Sequence, residues 1–308
     1  MTPFELLEPR SLREAAGLLK SGETPVRPVA GGTAIMLMMK LGVLRPARLV
    51  SLRAIEKRYS EITAGADGEL RIGAMATLSA LERSPAVKSH APVITRTLRT
   101  LSNVRVRNVA TVGGHLAHAD PHMDLPPVLI ALGARVSIVD PAGGRTLPLE
   151  ALYTGYLETT LEPGELISEV IVPRQAPRHA AYLKCTTRSA DDWPALGVAV
   201  VLDTVMETEG TAVDDARIVV DDARIVVRDA RLVISAATDT PKRLAAAEGV
   251  LRGARVDDAT LRRAADAAAS EADVIGDAHG SAAYKKELVR VYVARAVRAA
   301  LAGDEVKK

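Results

Sequence analysis

The sequence predicts an α+β fold built from two domains. Two alternating apolar runs flank an Asp-Gly turn between residues 61 and 73, which is typical of a β-hairpin. After residue 180, a block of strand-like segments is followed by a block of amphipathic helices, which favours helices packed on one face of an antiparallel sheet. The Pro- and Arg-rich segment 173–179 is typical of a linker, so a domain boundary is expected there.

Strand and helix signals alternate in the first half. Ser11 and Glu14 form a capping box, so a short helix is expected to begin there and to end near Lys20. The helical spacing of residues 79–100 is interrupted by Pro85 and Pro92. The other expected elements are strands at 25–29, 49–52, 135–139 and 166–172 and helices at 34–40 and 128–132.

The second half contains the expected sheet, the expected helices and a tandem repeat. The strands are expected at 180–187, 196–206 and 216–236, and the helices at 258–272, at 281–301 and from Thr240-Pro241 onward. Residues 214–220 and 221–227 have the same sequence, and a looser third copy runs to Ile234. A seven-residue period cannot keep equivalent side chains on one face of a regular strand. Either a turn at each Asp-Asp-Ala or an extra loop is therefore expected, as a structural duplication rather than a functional one.

Composition excludes several classes of function. The 308 residues include a single cysteine, which cannot form an internal disulfide, a Cys-type zinc site or an iron–sulfur cluster within this chain. Aromatic residues make up only 3%, with one Trp and one Phe, so a base-stacking surface for nucleic acid is not expected. The net charge of +2 comes from interspersed signs, which does not predict a polyanion-binding stripe.

No membrane segment is predicted. The N-terminal residues carry early acidic side chains and have no apolar core of a signal peptide. The most apolar stretch, 34–39, ends at Lys40, far short of the roughly 20 residues that a spanning helix needs. A cytoplasmic protein is therefore expected.

Two Gly-Gly segments could bind an anion. One runs from Val29 to Met36 and the other from Thr111 to His115, and each puts two residues without Cβ directly after an apolar run. Such loops let backbone N–H groups approach a phosphate closely, and the first leads into a predicted helix whose N-terminus favours negative charge. The alternative is that each pair only makes a tight turn. The sequence contains neither Gly-x-Gly-x-x-Gly nor Gly-x4-Gly-Lys-Ser/Thr, so a Rossmann site and a P-loop are not supported.

The second segment continues into a histidine-rich run that allows a different function. His115, His118 and His122 are interleaved with Asp120 and Asp124. These three histidines are half of the six in the chain. Imidazole and carboxylate groups at this density could form the metal centre of a metal-dependent hydrolase. That hypothesis stays open at this point as the alternative to an anion-binding cofactor site.

Four segments, in order, resemble the flavoprotein (medium) subunits of the molybdenum hydroxylases. The two Gly-Gly segments, the second extended to Pro127, are similar to the two FAD-binding signatures of that family. Residues 182–192 resemble the segment that opens its C-terminal domain, and residues 280–290 resemble its closing helix. The family includes the medium subunit of carbon monoxide dehydrogenase and the FAD domain of xanthine dehydrogenase.

The resemblance implies a fold and a set of site residues. The implied fold is a vanillyl-alcohol-oxidase (PCMH)-type FAD-binding domain over residues 1–175, with α+β subdomains at about 1–57 and 58–175, followed by a C-terminal α+β domain over residues 178–304 that is similar to the C-terminal domain of the carbon monoxide dehydrogenase flavoprotein. The pyrophosphate and ribityl region of FAD would be bound by Val29, Ala30, Gly31, Gly32, Thr33, Ala34, Ile35, Met36, Thr111, Val112, Gly113, Gly114 and His115. Asp124 would accept a hydrogen bond from a sugar hydroxyl, Leu101 and Ile167 would pack on the adenine or the flavin, and Lys184 would lie near the isoalloxazine. No residue is implied as catalytic or as a metal ligand. The family usually has Asn where His115 stands, so imidazole N–H donation would alter or replace the contact at that position.

The resemblance also implies the function. This chain would bind FAD and would pass electrons from the [2Fe-2S] clusters of a small partner subunit to an external acceptor. Molybdopterin would be held by a large partner subunit, in a dimer of heterotrimers. The residues that choose the substrate would lie in that other chain, and NAD, a quinone, oxygen or a carrier protein all stay open as the acceptor. A scaffold subunit that no longer binds flavin is the non-enzymatic alternative, against which the intact Gly pairs and Asp124 argue.

Overall fold

A computed structural model describes residues 2–20, 25–175, 179–206 and 225–303. The helices within these ranges are Leu12–Lys20 (α1), Thr33–Lys40 (α2), Leu78–Arg83 (α3), Pro85–His90 (α4), Pro92–Leu98 (α5), Val104–Arg107 (α6), Val112–His118 (α7), Leu125–Ala131 (α8), Ala245–Leu251 (α9), Asp258–Glu271 (α10) and Ala282–Ala302 (α11). The strands are Glu5–Leu7 (β1), Val26–Val29 (β2), Arg48–Ser51 (β3), Ile62–Ala64 (β4), Leu70–Gly73 (β5), Arg135–Val139 (β6), Gly144–Pro148 (β7), Tyr153–Gly155 (β8), Glu158–Thr159 (β9), Leu166–Val172 (β10), His179–Cys185 (β11), Leu196–Met206 (β12), Ile225–Ser235 (β13) and Lys242–Arg243 (β14). None of the described helices is both long and apolar enough to cross a membrane.

The N-terminal part is a small parallel sheet covered by α1. Its strands lie in the order β1-β3-β2, and both neighbours of β3 run parallel to it. The apolar face of α1, which includes Leu12 and Leu19, packs against Val50 and Leu52 in a core cluster of its own. Helix α2 follows β2 directly, so the first Gly-Gly segment is the connection from a strand to a helix.

A five-stranded antiparallel sheet forms the second layer, in the order β4-β5-β10-β6-β7. The expected hairpin is confirmed: β4 pairs antiparallel with β5, and Gly68 takes the positive φ of 80° that the turn requires. The two prolines of segment 79–100 each begin a new helix rather than only ending one. Pro85 opens α4 behind the Ser84 cap, and Pro92 opens α5.

The C-terminal part is an antiparallel sheet in the order β11-β12-β13-β14, with α9 and α11 on one face. Val198, Val200 and Leu202 of β12 pack into the core that α9–α11 share, whereas Ala199 and Val201 belong to the core of the preceding domain, where α8 contacts the same strands. Both faces of β12 are therefore covered. This explains why residues 196–202 form an almost continuous apolar run rather than an alternating one.

Two expectations for the second half need correction or restriction. Thr240-Pro241 does not begin a helix, because residues 242–243 extend the sheet beside β13 and α9 starts only at Ala245. The first repeat copy and residues 221–224 of the second lie outside the described residues. Both Asp-Asp-Ala segments, where a turn was expected, are therefore outside the described part of the chain. Where the second copy meets the third, β13 is continuous and its register with β12 shifts at Arg228. The extra residue of this bulge returns the buried side chains to one face, with Val227 before it and Ala230 after it.

Candidate functional site

The two Gly-Gly segments lie against each other. A Cβ atom on Gly31 would stand 2.0 Å from the carbonyl oxygen of Val109, two residues before Thr111. A Cβ on Gly114 would stand 3.0 Å from Thr111 Oγ1 and 3.7 Å from the Cβ of Ala30. The chain therefore needs glycine at residue 31 for the two backbones to approach, which a tight turn alone does not require.

The first segment leaves a helix N-terminus without a side-chain cap. Gly32 is the N-cap residue of α2, with φ of 77° and ψ of 0°, a left-handed conformation that favours glycine. Because the first N–H groups of a helix have no acceptor within the helix, and Gly32 has no side chain to supply one, they remain available to an anion. Val29 ends β2, and Thr33, Ala34, Ile35 and Met36 form the first turn of α2.

The second segment is fixed to the end of β5. Gly113 N donates to the carbonyl of Ala74 at 2.7 Å, and a Cβ on Gly113 would lie 2.6 Å from the Cβ of Ala74. Thr111 is the N-cap of α7, and its Oγ1 accepts from Gly114 N at 3.2 Å. Val112 to His115 therefore lie in the first turn of a helix, where sequence analysis expected a loop.

Asp124 and Lys184, two further residues predicted for the site, form a buried ion pair. Lys184 Nζ lies 3.0 Å from Asp124 Oδ2, and both side chains are at most 7% exposed. Asp124 Oδ1 accepts from the hydroxyl of Tyr182 at 2.5 Å. Burial raises the pKa of Asp124, while the Lys184 charge and the hydrogen bonds from Tyr182 and Lys184 oppose that rise.

The ammonium group of Lys184 also holds two backbone carbonyls. It donates to Thr100 O at 2.8 Å and to Asp192 O at 3.0 Å. Lys184 of β11 therefore contacts three separate segments of the chain: the one before α6, the one before α8 and the loop after β11. Sequence analysis missed Tyr182 as a partner of Asp124, although residues 182 and 184 share one face of a strand by its period of two.

Leu101 and Ile167 lie in the main core. Leu101 is 4% exposed and Ile167 is 7% exposed, and both pack in the cluster beneath the five-stranded sheet. Each therefore offers only a small surface to a ligand. Their contact with adenine or flavin stays a prediction.

The histidine run does not form a metal centre. Its members point to different surroundings: His115 Nε2 is buried without a hydrogen-bond partner, whereas His122 is hydrogen-bonded on both ring nitrogens to Asp120 and Asp277. Burial, together with the neighbouring His118, lowers the pKa of His115 to about 4. Within residues 2–20, 25–175, 179–206 and 225–303, no group of three or more His, Cys, Asp or Glu side chains is arranged to hold a metal ion. The metal-dependent hydrolase hypothesis is therefore wrong, since the spacing along the chain does not bring these ligands to one point.

The candidate site thus combines an uncapped helix N-terminus after a strand with a buried carboxylate–ammonium pair. Comparison with known families identifies FAD as the cofactor of the chain: residues 2–175 match the FAD-binding domain in molybdopterin dehydrogenase. Residues 181–300 match the C-terminal domain of the CO dehydrogenase flavoprotein. The chain belongs to the family of FAD-binding medium subunits of molybdenum hydroxylase-type dehydrogenases, which are oxidoreductases.

Individual relatives agree with this family along almost the whole chain. The chain is 30% identical to the nicotine 6-hydroxylase medium subunit of Paenarthrobacter nicotinovorans over 94% of both proteins. It is 29% identical to the carbon monoxide dehydrogenase medium chain of Hydrogenophaga pseudoflava over 97% of both proteins. The solved carbon monoxide dehydrogenase of H. pseudoflava that lacks the Mo-pyranopterin moiety matches with a TM-score of 0.87 at 31% identity, over 98% of this chain and 99% of that chain. The quinoline 2-oxidoreductase of Pseudomonas putida 86 matches with a TM-score of 0.85 at 26% identity, over 97% and 98%. The resemblance, the α+β fold and FAD as the cofactor are thereby confirmed.

The residues present fit a dinucleotide. The close approach at Gly31 brings the start of α2 next to the backbone of Val109 and Ala110. A diphosphate at the uncapped start of α2 would face its N–H donors, and hydrogen bonds to a charged acceptor are stronger than those to a neutral one. The Asp124–Lys184 pair supplies an acidic side chain for a hydroxyl and a fixed positive charge.

Proposed function

We propose that this chain is the FAD-binding electron-transfer subunit of a multisubunit molybdenum hydroxylase. The observation that supports the proposal is the close approach of the two Gly-Gly segments, which brings chain positions about eighty residues apart together at the uncapped start of α2. In this proposal the uncapped backbone N–H groups at the start of α2 bind the pyrophosphate. The N–H groups of residues 112–115 are bonded within the chain, so this segment serves as the backbone wall beside the pyrophosphate. Bound FAD supplies the redox chemistry, and the protein supplies binding, orientation and electrostatics.

Asp124 orients the cofactor in the proposed site. Each of its carboxylate oxygens already accepts one hydrogen bond, from Tyr182 and from Lys184. A carboxylate has room for about four acceptor contacts, so a sugar hydroxyl can donate to it as well. The two protein donors fix the direction of the carboxylate before the cofactor arrives.

Lys184 supplies a fixed positive charge near the flavin. Its ammonium group is held by Asp124, Thr100 and Asp192, so it cannot swing away into solvent. A positive charge at this position favours extra electron density on a neighbouring ring. Lys184 thus tunes the cofactor without taking part in substrate chemistry.

The single cysteine supports partners that hold the iron–sulfur clusters. With Cys185 alone, this chain cannot bind such a cluster, so in the proposed pathway the clusters that reduce the flavin belong to another subunit. Several relatives are named as medium chains, which denotes membership of a complex. We propose a small [2Fe-2S] subunit and a large molybdopterin subunit as partners in a dimer of heterotrimers, an external acceptor, and a cytoplasmic location.

Titration of the purified, cofactor-free chain with FAD tests the proposal. Binding in a 1:1 ratio, with flavin absorption bands shifted from those of free FAD, is the expected result. FMN, which lacks the pyrophosphate and the adenosine, is expected to bind far more weakly. Equal affinity for FAD and FMN, or no binding of either, would refute the assignment of the two Gly-Gly segments.

A further inference from the structure

A chain of alternating charges crosses from the FAD-binding domain to the C-terminal domain beside the candidate site. His122 Nδ1 lies 3.0 Å from Asp120 Oδ1, and His122 Nε2 lies 2.8 Å from Asp277 Oδ2. The same Asp277 oxygen accepts from Lys285 Nζ at 2.6 Å. Lys285 is fully buried, and His122 is only 9% exposed. The assigned roles of Asp124 and Lys184 do not use this network.

The network closes through the backbone of a single residue. Lys285 Nζ also donates to Ala236 O at 2.7 Å, and Ala236 N donates to Pro121 O at 2.8 Å. Pro121 lies between Asp120 and His122. Ala236 has a φ of 65°, which is uncommon for a residue with a Cβ, so the surrounding contacts hold its backbone in place. His122 is thereby fixed from both domains.

The imidazole ring of His122 also packs against the indole ring of Trp193. The two rings are stacked, with centroids 5.6 Å apart and planes inclined by 14°. The other face of Trp193 is open, because 54% of the residue is exposed. Attraction between an aromatic face and a cation reaches about 6 Å, so a protonated His122 holds Trp193 more strongly than a neutral one.

Trp193 belongs to the loop that binds Lys184. The loop of residues 186–194 is closed at its base by Ala195 N, which donates to Cys185 O at 2.8 Å. Asp192, the neighbour of Trp193, supplies the carbonyl that accepts from Lys184 at 3.0 Å. A movement of the loop backbone that carries Trp193 away from His122 therefore displaces an acceptor of the ammonium group beside the proposed flavin.

We propose that His122 is a positioning residue that seats Trp193 and thereby holds the 186–194 loop and Lys184 in the arrangement that binds FAD. This proposal rests on the proposed function, because it concerns affinity for the same cofactor. The charged and titratable groups that face His122 are Asp120 on its own segment and Asp277 and His279 on the segment before α11, with His118 and Lys285 one contact further away. Since the two carboxylates are the direct partners of the ring, its cationic form is the one that the site holds.

The test uses His122→Ala and the emission of Trp193, which is the single tryptophan of the chain and thus reports on this loop alone. A protonated imidazole in contact with an indole quenches its emission. In cofactor-free protein, we expect brighter emission and easier quenching by acrylamide for His122→Ala than for the unchanged chain. We also expect the dissociation constant for FAD to rise by about tenfold or more, the size of effect known for removing a group that orients a metal ligand.

Two further variants separate positioning from general damage. His90→Ala removes a histidine that bonds a backbone carbonyl far from the loop, and it is expected to leave both readouts unchanged. His122→Gln keeps a polar side chain and guards against a variant that does not fold. Added imidazole is expected to restore FAD affinity to His122→Ala, because it can fill the site between the two carboxylates.

The outcomes distinguish the two proposals. If the unchanged chain does not bind FAD, the proposed function fails, while the emission readout still decides whether His122 seats Trp193. If the unchanged chain binds FAD but His122→Ala and His122→Gln keep the same affinity and emission, the positioning role is overturned. Reduced affinity that imidazole does not restore, with unchanged emission, also contradicts it.

Discussion

Lys184 Nζ lies 3.0 Å from Asp124 Oδ2, and this buried ion pair joins the first strand of the C-terminal sheet to the N-terminus of α8. The pair has three further hydrogen bonds, from Tyr182 and to the carbonyls of Thr100 and Asp192. A buried ion pair contributes reliably only when such additional partners satisfy it. The site is thus organised before a cofactor binds.

Replacing Lys184 with methionine is expected to destabilise the protein strongly. The variant leaves the Asp124 carboxylate buried without its cation, which costs about 3–5 kcal/mol in the free energy of unfolding. Urea denaturation of both proteins measures the difference. Arg298→Met breaks the exposed pair with Asp258 and serves as the control, with an expected loss of at most about 1 kcal/mol. Equal losses in the two variants would contradict the special role of the buried pair.

Replacing Gly32 with aspartate is expected to abolish FAD binding while the protein stays folded. The new carboxylate would place a negative charge at the uncapped start of α2, where the pyrophosphate is proposed to bind. Asparagine has nearly the same size and tolerates the same left-handed backbone, so Gly32→Asn is the matched control. Titration with FAD should show a much larger loss of affinity for aspartate than for asparagine. The same affinity in both variants would show that charge is not what matters at this position.

Replacing Gly31 with alanine is expected to separate the two Gly-Gly segments. The new Cβ would overlap the carbonyl oxygen of Val109, and backbone cannot move aside as a flexible side chain can. Overpacking of this kind costs about 1–3 kcal/mol, and FAD affinity should fall with it. Gly17→Ala in α1 meets no atom within 4 Å and is expected to stabilise the protein by about 0.5–1 kcal/mol. Thermal unfolding and FAD titration of both variants check this, and an unaffected Gly31→Ala would show that the loops do not need contact.

The stability that His122 contributes is expected to decrease as pH rises. Burial alone would lower the pKa of His122, but hydrogen bonds and charge from Asp120 and Asp277 outweigh it and raise the pKa above the ordinary 6.5. The folded protein therefore binds a proton more tightly than the unfolded chain. Its contribution is fully present below about pH 6.5 and is lost as pH rises through the higher pKa of the folded state.

Chemical denaturation at several pH values measures this effect. The difference in unfolding free energy between the unchanged chain and His122→Gln should be largest near pH 5.5 and should shrink toward alkaline pH. Asp277 stays charged over this range, because hydrogen bonds from Lys285 and His122 outweigh its burial and lower its pKa to about 2. A difference that grew with pH would mean that the neutral ring is the stabilised form.

Much of the fold could be predicted because local patterns specify it. The apolar residues 166–172 were expected as a strand and form β10 over that same range, and the Asp-Gly turn was expected to make the β4–β5 hairpin. At Pro241 the local signal failed, because pairing with β13 took precedence over the preference of proline for the start of a helix. Tertiary contacts decide such cases, and a short sequence window does not contain them.

The sequence singles out individual candidate residues, but it does not contain the spatial arrangement of the candidate site. Each Gly-Gly segment predicts a stretch of backbone that is not covered by its own side chains. Only the folded chain shows that Gly31 lies against the carbonyl oxygen of Val109. The partner of His122 across the domain boundary is Asp277, which no local spacing connects to it. The histidine run gave a wrong hypothesis for the same reason, because density along the chain does not show whether side chains converge.

The burial of β12 on both faces means that the two matched family regions are not interchangeable modules. A chain cut in the linker would expose Ala199, Val201 and Val233, which lie in the core of the other half. Each fragment would then expose an apolar surface that favours association. Coexpressed fragments are therefore expected to reassemble rather than to remain apart. Exchange of C-terminal domains between relatives would therefore have to preserve this strand together with the surface of α8.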